Sequence, residues 1–102
     1  MIIIYVPCPH SDVAEVIAKR LIELDLAFCV QIKSPVKSFY KWESQLRNDL
    51  ESPLIIKTFK SFEEAITKEI QQIHPYETPC ILSIEVSSLN PAFSTWASTI
   101  QK

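Results

Sequence analysis

A chain of 102 residues, 47% apolar and 22% charged, is long enough for one domain with a modest core. A net charge of −2 argues against a nucleic-acid partner, and no apolar run approaches the ~20 residues that cross a bilayer, so no membrane contact is expected. The sequence contains no glycine, which excludes phosphate-cradling loops and dinucleotide turns and with them P-loop and Rossmann chemistry.

The first strand is expected over 2–6, a continuous apolar run that stops at Pro7 and Pro9. Ser11 and Asp12 offer N-caps to a helix over 11–25, with Glu15 closing a capping box on Asp12. Val13, Val16, Ile17, Leu21 and Leu24 follow at helical spacing. Residues 27–32 and 36–42 read as one strand, bent or bulged at Pro35, because proline cannot donate to a ladder. Residues 43–48 are polar and turn-like, and 50–59 give the third strand. The short connection predicts a long antiparallel hairpin between the second and third strands. Ser61 and Glu64 form a second capping box, opening a helix that buries Phe62, Ala65, Ile66, Ile70 and Ile73 and ends before Pro75. The fourth strand is expected over 80–86, and Asn90-Pro91 starts a short C-terminal helix with Phe93, Trp96 and Ile100 on one side. The predicted fold class is α+β, a ferredoxin-like βαββαβ with an antiparallel sheet, as a single domain over 1–102. The strands are apolar on both faces, which predicts that a partner chain covers the face the helices leave bare.

Four segments carry a resemblance to a known family. They are Leu26-Ala27-Phe28-Cys29-Val30-Gln31, Ser38-Phe39-Tyr40-Lys41-Trp42-Glu43, Leu54-Ile55-Ile56-Lys57-Thr58, and His74-Pro75-Tyr76-Glu77-Thr78-Pro79. In this order they resemble the CutA family, the divalent-cation tolerance proteins, over nearly the whole chain. The resemblance implies a homotrimer in which long hairpins pair with neighbouring subunits. It also implies an architecture similar to the PII signalling proteins, which bind small ligands in clefts between subunits. A link to heavy-metal tolerance, copper above all, comes with the family. The chain departs from the usual pattern at Gln31, where asparagine is usual, and at Ser44, where glycine is usual.

Cys8-Pro9-His10 is the one close Cys/His pair, and a thiolate with an imidazole suits copper or zinc. Two ligands do not make a site. His74 and Glu77, or trimer symmetry, are the expected source of the rest, so the metal candidates are Cys8, His10, His74 and Glu77. The expected lining of an intersubunit cleft is Tyr40, Trp42, Lys57, His74, Tyr76 and Glu77. Each has a plainer reading. Pro75 ends a helix with His74 in its last turn, Tyr40 and Trp42 share a strand face as interface anchors, and Lys57 reaches solvent along its stem. Cys29 and Cys80 read as small buried hydrophobes.

Three widely spaced cysteines form no disulfide framework, and the apolar start is too short for a signal peptide, so a reduced, cytoplasmic protein is expected. The Cys/His pairs lack a nucleophile-elbow pattern, so no enzyme is expected and no cofactor is required beyond a possible copper or other divalent ion. Two functions follow. One is a trimeric metal-binding or metal-responsive protein of heavy-metal tolerance. The other is a PII-like trimer holding a small anionic or nucleotide-like ligand in its cleft, or serving as a scaffold.

Overall fold

The structure, a computed structural model, describes residues 1–101. Strands β1 (Ile2–Cys8), β2 (Cys29–Ile32), β3 (Val36–Trp42), β4 (Gln45–Thr58) and β5 (Leu82–Glu85) alternate with helices α1 (Ser11–Glu23), α2 (Glu63–Ile73) and α3 (Pro91–Ile100). All strand pairs are antiparallel, the sheet order is β2-β4-β1-β5, and β3 pairs with β4 beyond β2. This is the ferredoxin-like βαββαβ order with one helix added at the end.

Alternation along β1 decides where the core lies. Ile2, Ile4, Val6 and Cys8 point towards α1 and α2, and join Leu54, Ile56, Ile17, Leu21, Ile66 and Ile70 in one buried cluster. The other face of the sheet carries Ile3, Tyr5, Ile55, Lys57, Leu82 and Ile84, set side by side by the strand register. No helix among the described residues covers that face, and Leu82 and Ile84 are 56% and 60% exposed.

β1 runs two residues further than expected, straight through Pro7. The carbonyl of Pro7 faces away from β4 and accepts from His74, so its nitrogen faces away too and no ladder bond is lost. Pro53 opposite is turned outward in the same way, its carbonyl accepting from Lys33 N–H at 2.8 Å. The expected bulge at Pro35 is present: residues 33–35 oppose 52–53 between the Ile32–Leu54 and Val36–Glu51 pairs. It splits the predicted second strand into β2 and β3.

The expected turn over 43–48 shrinks to Glu43 and Ser44. Trp42 pairs with Gln45, and both turn residues take positive φ, 51° and 62°, as a two-residue hairpin of this hand demands. Gln45–Asn48 therefore continue β4, whose 14 residues make an arm and set the 47 Å long axis. Both predicted capping boxes are absent. His10 stands at the N-cap of α1 and Phe62 at that of α2, with no side-chain cap at either, and Ser61 lies in a 3₁₀ turn over Lys60–Phe62. Asn90 does cap α3, accepting from Ala92 N–H at 3.0 Å, with Pro91 following. α1 ends in a Schellman arrangement with Asp25 at φ 56°, Leu26 N–H donating to Leu21 O and Asp25 N–H to Ile22 O. α3 is held by an aromatic group of Phe28, Phe59, Phe93 and Trp96 and by the buried amide of Gln101.

Candidate functional site

The arm and the segment after α2 enclose a cleft of about 530 Å³. Its floor is the arm face that carries Ser38, Tyr40 and Trp42 on β3 opposite Asp49, Arg47 and Gln45 on β4. Tyr40 donates a hydrogen bond to the Asp49 carboxylate, its diagonal cross-strand neighbour. Its far wall is Tyr76, Glu77, Thr78 and Cys80, with Pro7 at the base.

The wall is placed by His74. Pro75 bars His74 from helical backbone, so it leaves α2 extended with ψ 131°. Its side chain is 6% exposed. Nδ1 accepts from Tyr76 N–H at 3.1 Å, which leaves Nε2 carrying the proton and donating to Pro7 O at 2.8 Å. The imidazole thus ties the wall to β1, and the Tyr76 ring packs on it at 4.8 Å between centroids. Tyr76 then reaches the arm, its hydroxyl donating to Glu51 Oε2 at 3.2 Å. Burial, then the negative charge of Glu51, pushes the Tyr76 phenol up to about 12. The Tyr40 phenol is also raised, first by its hydrogen bond to Asp49.

Of the six residues expected to line an intersubunit cleft, Tyr40, Trp42, Tyr76 and Glu77 line this cleft within one protomer. His74 stands behind the wall as its anchor. Lys57 does not reach this cleft within the protomer: it lies on the bare sheet face, level with Cys29 and Ile3. The four metal candidates are not gathered into one centre. Cys8 and His10 part because Cys8 faces the core, fully buried, while His10 is exposed at the start of α1. Burial, with a smaller contribution from Glu51, raises the Cys8 thiol to about 11, and the thiolate is the form that binds metal. His74 spends both ring nitrogens on the backbone, and Glu77 is exposed. Among the described residues no group of three or more His, Cys, Asp and Glu side chains is arranged to hold an ion. Cys80, expected to be buried, is exposed beside the cleft because β5 begins only at Leu82; Cys29 is half-buried, and all three cysteines are free. Arg47, Asp49 and Glu51 escaped the sequence reading. Once the turn is fixed at residues 43–44, the pairing of Tyr40 with Arg47 and Ser38 with Asp49 follows by counting.

No helix among the described residues is long and apolar enough to cross a membrane. The family model described as "CutA1 divalent ion tolerance protein" matches residues 2–99. The chain is 39% identical over 93 residues to the divalent-cation tolerance protein CutA of Archaeoglobus fulgidus, covering 91% of this chain and 90% of that one. It is 38% identical over 96 residues to the protein CutA homolog of Xenopus laevis, covering 94% of this chain. It spans 64% of that Xenopus protein and 52% of mouse CutA, about half to two-thirds of these animal relatives. The crystal structure of CutA1 from Oryza sativa superposes with a TM-score of 0.95 at 30% identity, covering 99% of this chain and 93% of that one. The structure described as the periplasmic divalent cation tolerance protein CutA from A. fulgidus gives 0.93 at 37% identity and 98% coverage of both chains. With the family model matched over residues 2–99 and relatives covered over nearly the whole chain, the chain belongs to the CutA1 divalent-ion tolerance family.

Proposed function

We propose that this protein serves divalent-cation tolerance as a homotrimer that holds a small ligand in the cleft between Tyr40 and Tyr76. The cleft carries the reading. Its volume, about 530 Å³, falls in the range of small-molecule sites, and its wall is braced by a buried histidine rather than left to a mobile loop. The trimer is supported by the bare sheet face, where Ile3, Tyr5, Ile55, Leu82 and Ile84 form an apolar surface that a lone protomer would expose to water. No catalytic step is part of this function. Three free thiols suit a reducing compartment such as the cytoplasm.

A second reading, direct copper binding, draws on His10 and Glu77, the two of the four metal candidates that solvent reaches. In one protomer they lack further ligands, so such a site needs groups from a neighbour.

Native mass spectrometry of the reduced protein, with and without copper and zinc, separates the two. A trimer without stoichiometric metal is the expected result. A trimer that takes up copper in fixed ratio, and loses it on His10→Ala or Glu77→Gln, would replace the cleft reading with the metal one. A monomer would refute the assembly. Ile84→Asp, which places a charge on the bare face, is expected to yield folded monomers.

A further inference from the structure

The cleft's chemistry narrows the ligand, and the inference rests on the cleft being a binding site. We propose that it takes an organic cation, an alkylammonium or quaternary ammonium group, and not the anion that the sequence suggests. Glu51 and Glu77 line it against one guanidinium, Arg47, and the Asp49 carboxylate stands directly behind Tyr40. The Lys57 ammonium of the same protomer lies elsewhere on the sheet, level with Ile3 and Cys29. The C-terminus of α2 stops at Ile73, three residues before Tyr76, and that end carries the negative pole.

The aromatic groups complete the case. Tyr40 and Trp42 stand two residues apart on one strand face, and Tyr76 faces them from the wall. Both tyrosine hydroxyls donate to carboxylates, Asp49 and Glu51, which pushes electron density into the rings and strengthens their attraction for a cation. Trp42, the best cation–π partner among side chains, is 57% exposed and free to cover a ligand. A bare metal ion fits poorly, since ring faces do not coordinate and the space is far larger than an ion. An ammonium group with alkyl substituents uses both features: carboxylates neutralise its charge and ring faces contact its methyl groups.

The test is a titration of the full chain with tetramethylammonium chloride at constant ionic strength, followed by the indole N–H signals of Trp42 and Trp96 in ¹H–¹⁵N spectra. Neopentyl alcohol serves as the neutral match in shape, and inorganic phosphate as the anion. Saturable movement of the Trp42 signal by the ammonium probe alone is expected. Trp42→Leu, followed by calorimetry, and Glu77→Gln should each weaken binding about tenfold or more, Trp42→Phe should retain most of it, and Lys57→Ala should leave it unchanged. Unchanged melting temperatures confirm that these substitutions leave the fold intact. The inference is overturned if the ammonium probe gives no saturable shift, or if the neutral alcohol binds equally well. Phosphate binding in its place would overturn the cation while keeping the cleft; no binding by any probe would remove the cleft reading as well.

Discussion

Replacing Cys8 by alanine should flatten the alkaline limb of the stability curve. The Cys8 thiol is fully buried under α1 and α2 and is raised from 9.0 to about 11, by burial first and by Glu51 second. Between those values the folded chain keeps a proton that the unfolded chain has lost. Fewer protons bound in the unfolded state means that stability falls as pH rises. The contribution is fully present below pH 9 and is lost as pH climbs through 11. Two units at about 1.4 kcal/mol each give roughly 3 kcal/mol as the whole effect. Tyr76, raised to about 12, adds a fall of the same sign above pH 10, but it is 38% exposed and its share is screened. It is common to both proteins and cancels in the difference. Guanidinium unfolding at fixed protomer concentration, under reducing conditions, from pH 7 to 11.5, measures the effect. The wild-type advantage over Cys8→Ala should shrink by about 2–3 kcal/mol between pH 8 and 11. Parallel limbs would refute a thiol held protonated in the core, and would reopen Cys8 as a metal ligand at neutral pH. Alkylation gives a second readout: iodoacetamide should modify exposed Cys80 in the native protein and Cys8 only after unfolding.

The polar latch of α3 predicts a large effect from the residue at its C-cap. Gln101 accepts from Phe59 N–H at 3.3 Å and donates to Leu26 O at 2.6 Å and Thr58 Oγ1 at 3.0 Å, so Gln101→Leu should cost about 2–4 kcal/mol in chemical denaturation, at roughly 1 kcal/mol per bond. A loss below 0.5 kcal/mol would show that water replaces the amide. At the hairpin, Ser44→Gly should stabilise by about 0.5–1 kcal/mol, since φ 62° costs a side-chain-bearing residue more than glycine. A lower denaturation midpoint would mean that the turn is not of this type. His74→Phe keeps the ring but strands Pro7 O and Tyr76 N–H. We expect a loss of about 2–3 kcal/mol and weaker ligand binding in the cleft, measured by thermal shift and titration; unchanged binding would separate His74 from the wall.

Element order was legible because each segment's apolar period was strong: the continuous run of β1, the helical spacing of Ile66 and Ile70, the Asn90-Pro91 start of α3. Helix starts were not, because a capping motif signals a start but does not hold it there. The chain enters α1 directly from the bend at Pro9 and His10, and enters α2 through a 3₁₀ turn that uses up Ser61. The hairpin tip is hard to read for a related reason. Without glycine or Asn-Gly to mark a two-residue turn, the polar run at 43–48 looked like a loop, and half of the cleft floor was lost with it. Tyr40 and Trp42 pair on one strand and Tyr76 and Glu77 in one short segment, and it is the family resemblance that joins the two pairs into one cleft. Their meeting depends on His74, whose two backbone bonds no sequence pattern announces.

Proximity in sequence misled most where alternation acts. Cys8 and His10 are two residues apart, yet β1 ends between them, so the rule that places i and i+2 on one face no longer holds. Cys8 obeys the strand and enters the core; His10 obeys the helix start and meets solvent. The same strand logic separates Lys57 from the cleft. Odd-numbered β4 residues run from Arg47, Asp49 and Glu51 on the arm to Pro53, Ile55 and Lys57 on the sheet, all on one face. Six residues at about 3.3 Å each put Lys57 roughly 20 Å from Glu51 along the strand. One face of one strand thus changes at Pro53 from a run of charges to Pro53, Ile55 and the lone charge of Lys57, and Pro53 meets Pro7 at the base of the cleft. The charged half suits a ligand that brings its own charge, and the apolar half suits a second copy of the chain. The two surfaces meet at that proline pair, so a neighbour seated on the bare face would lie against the cleft's base.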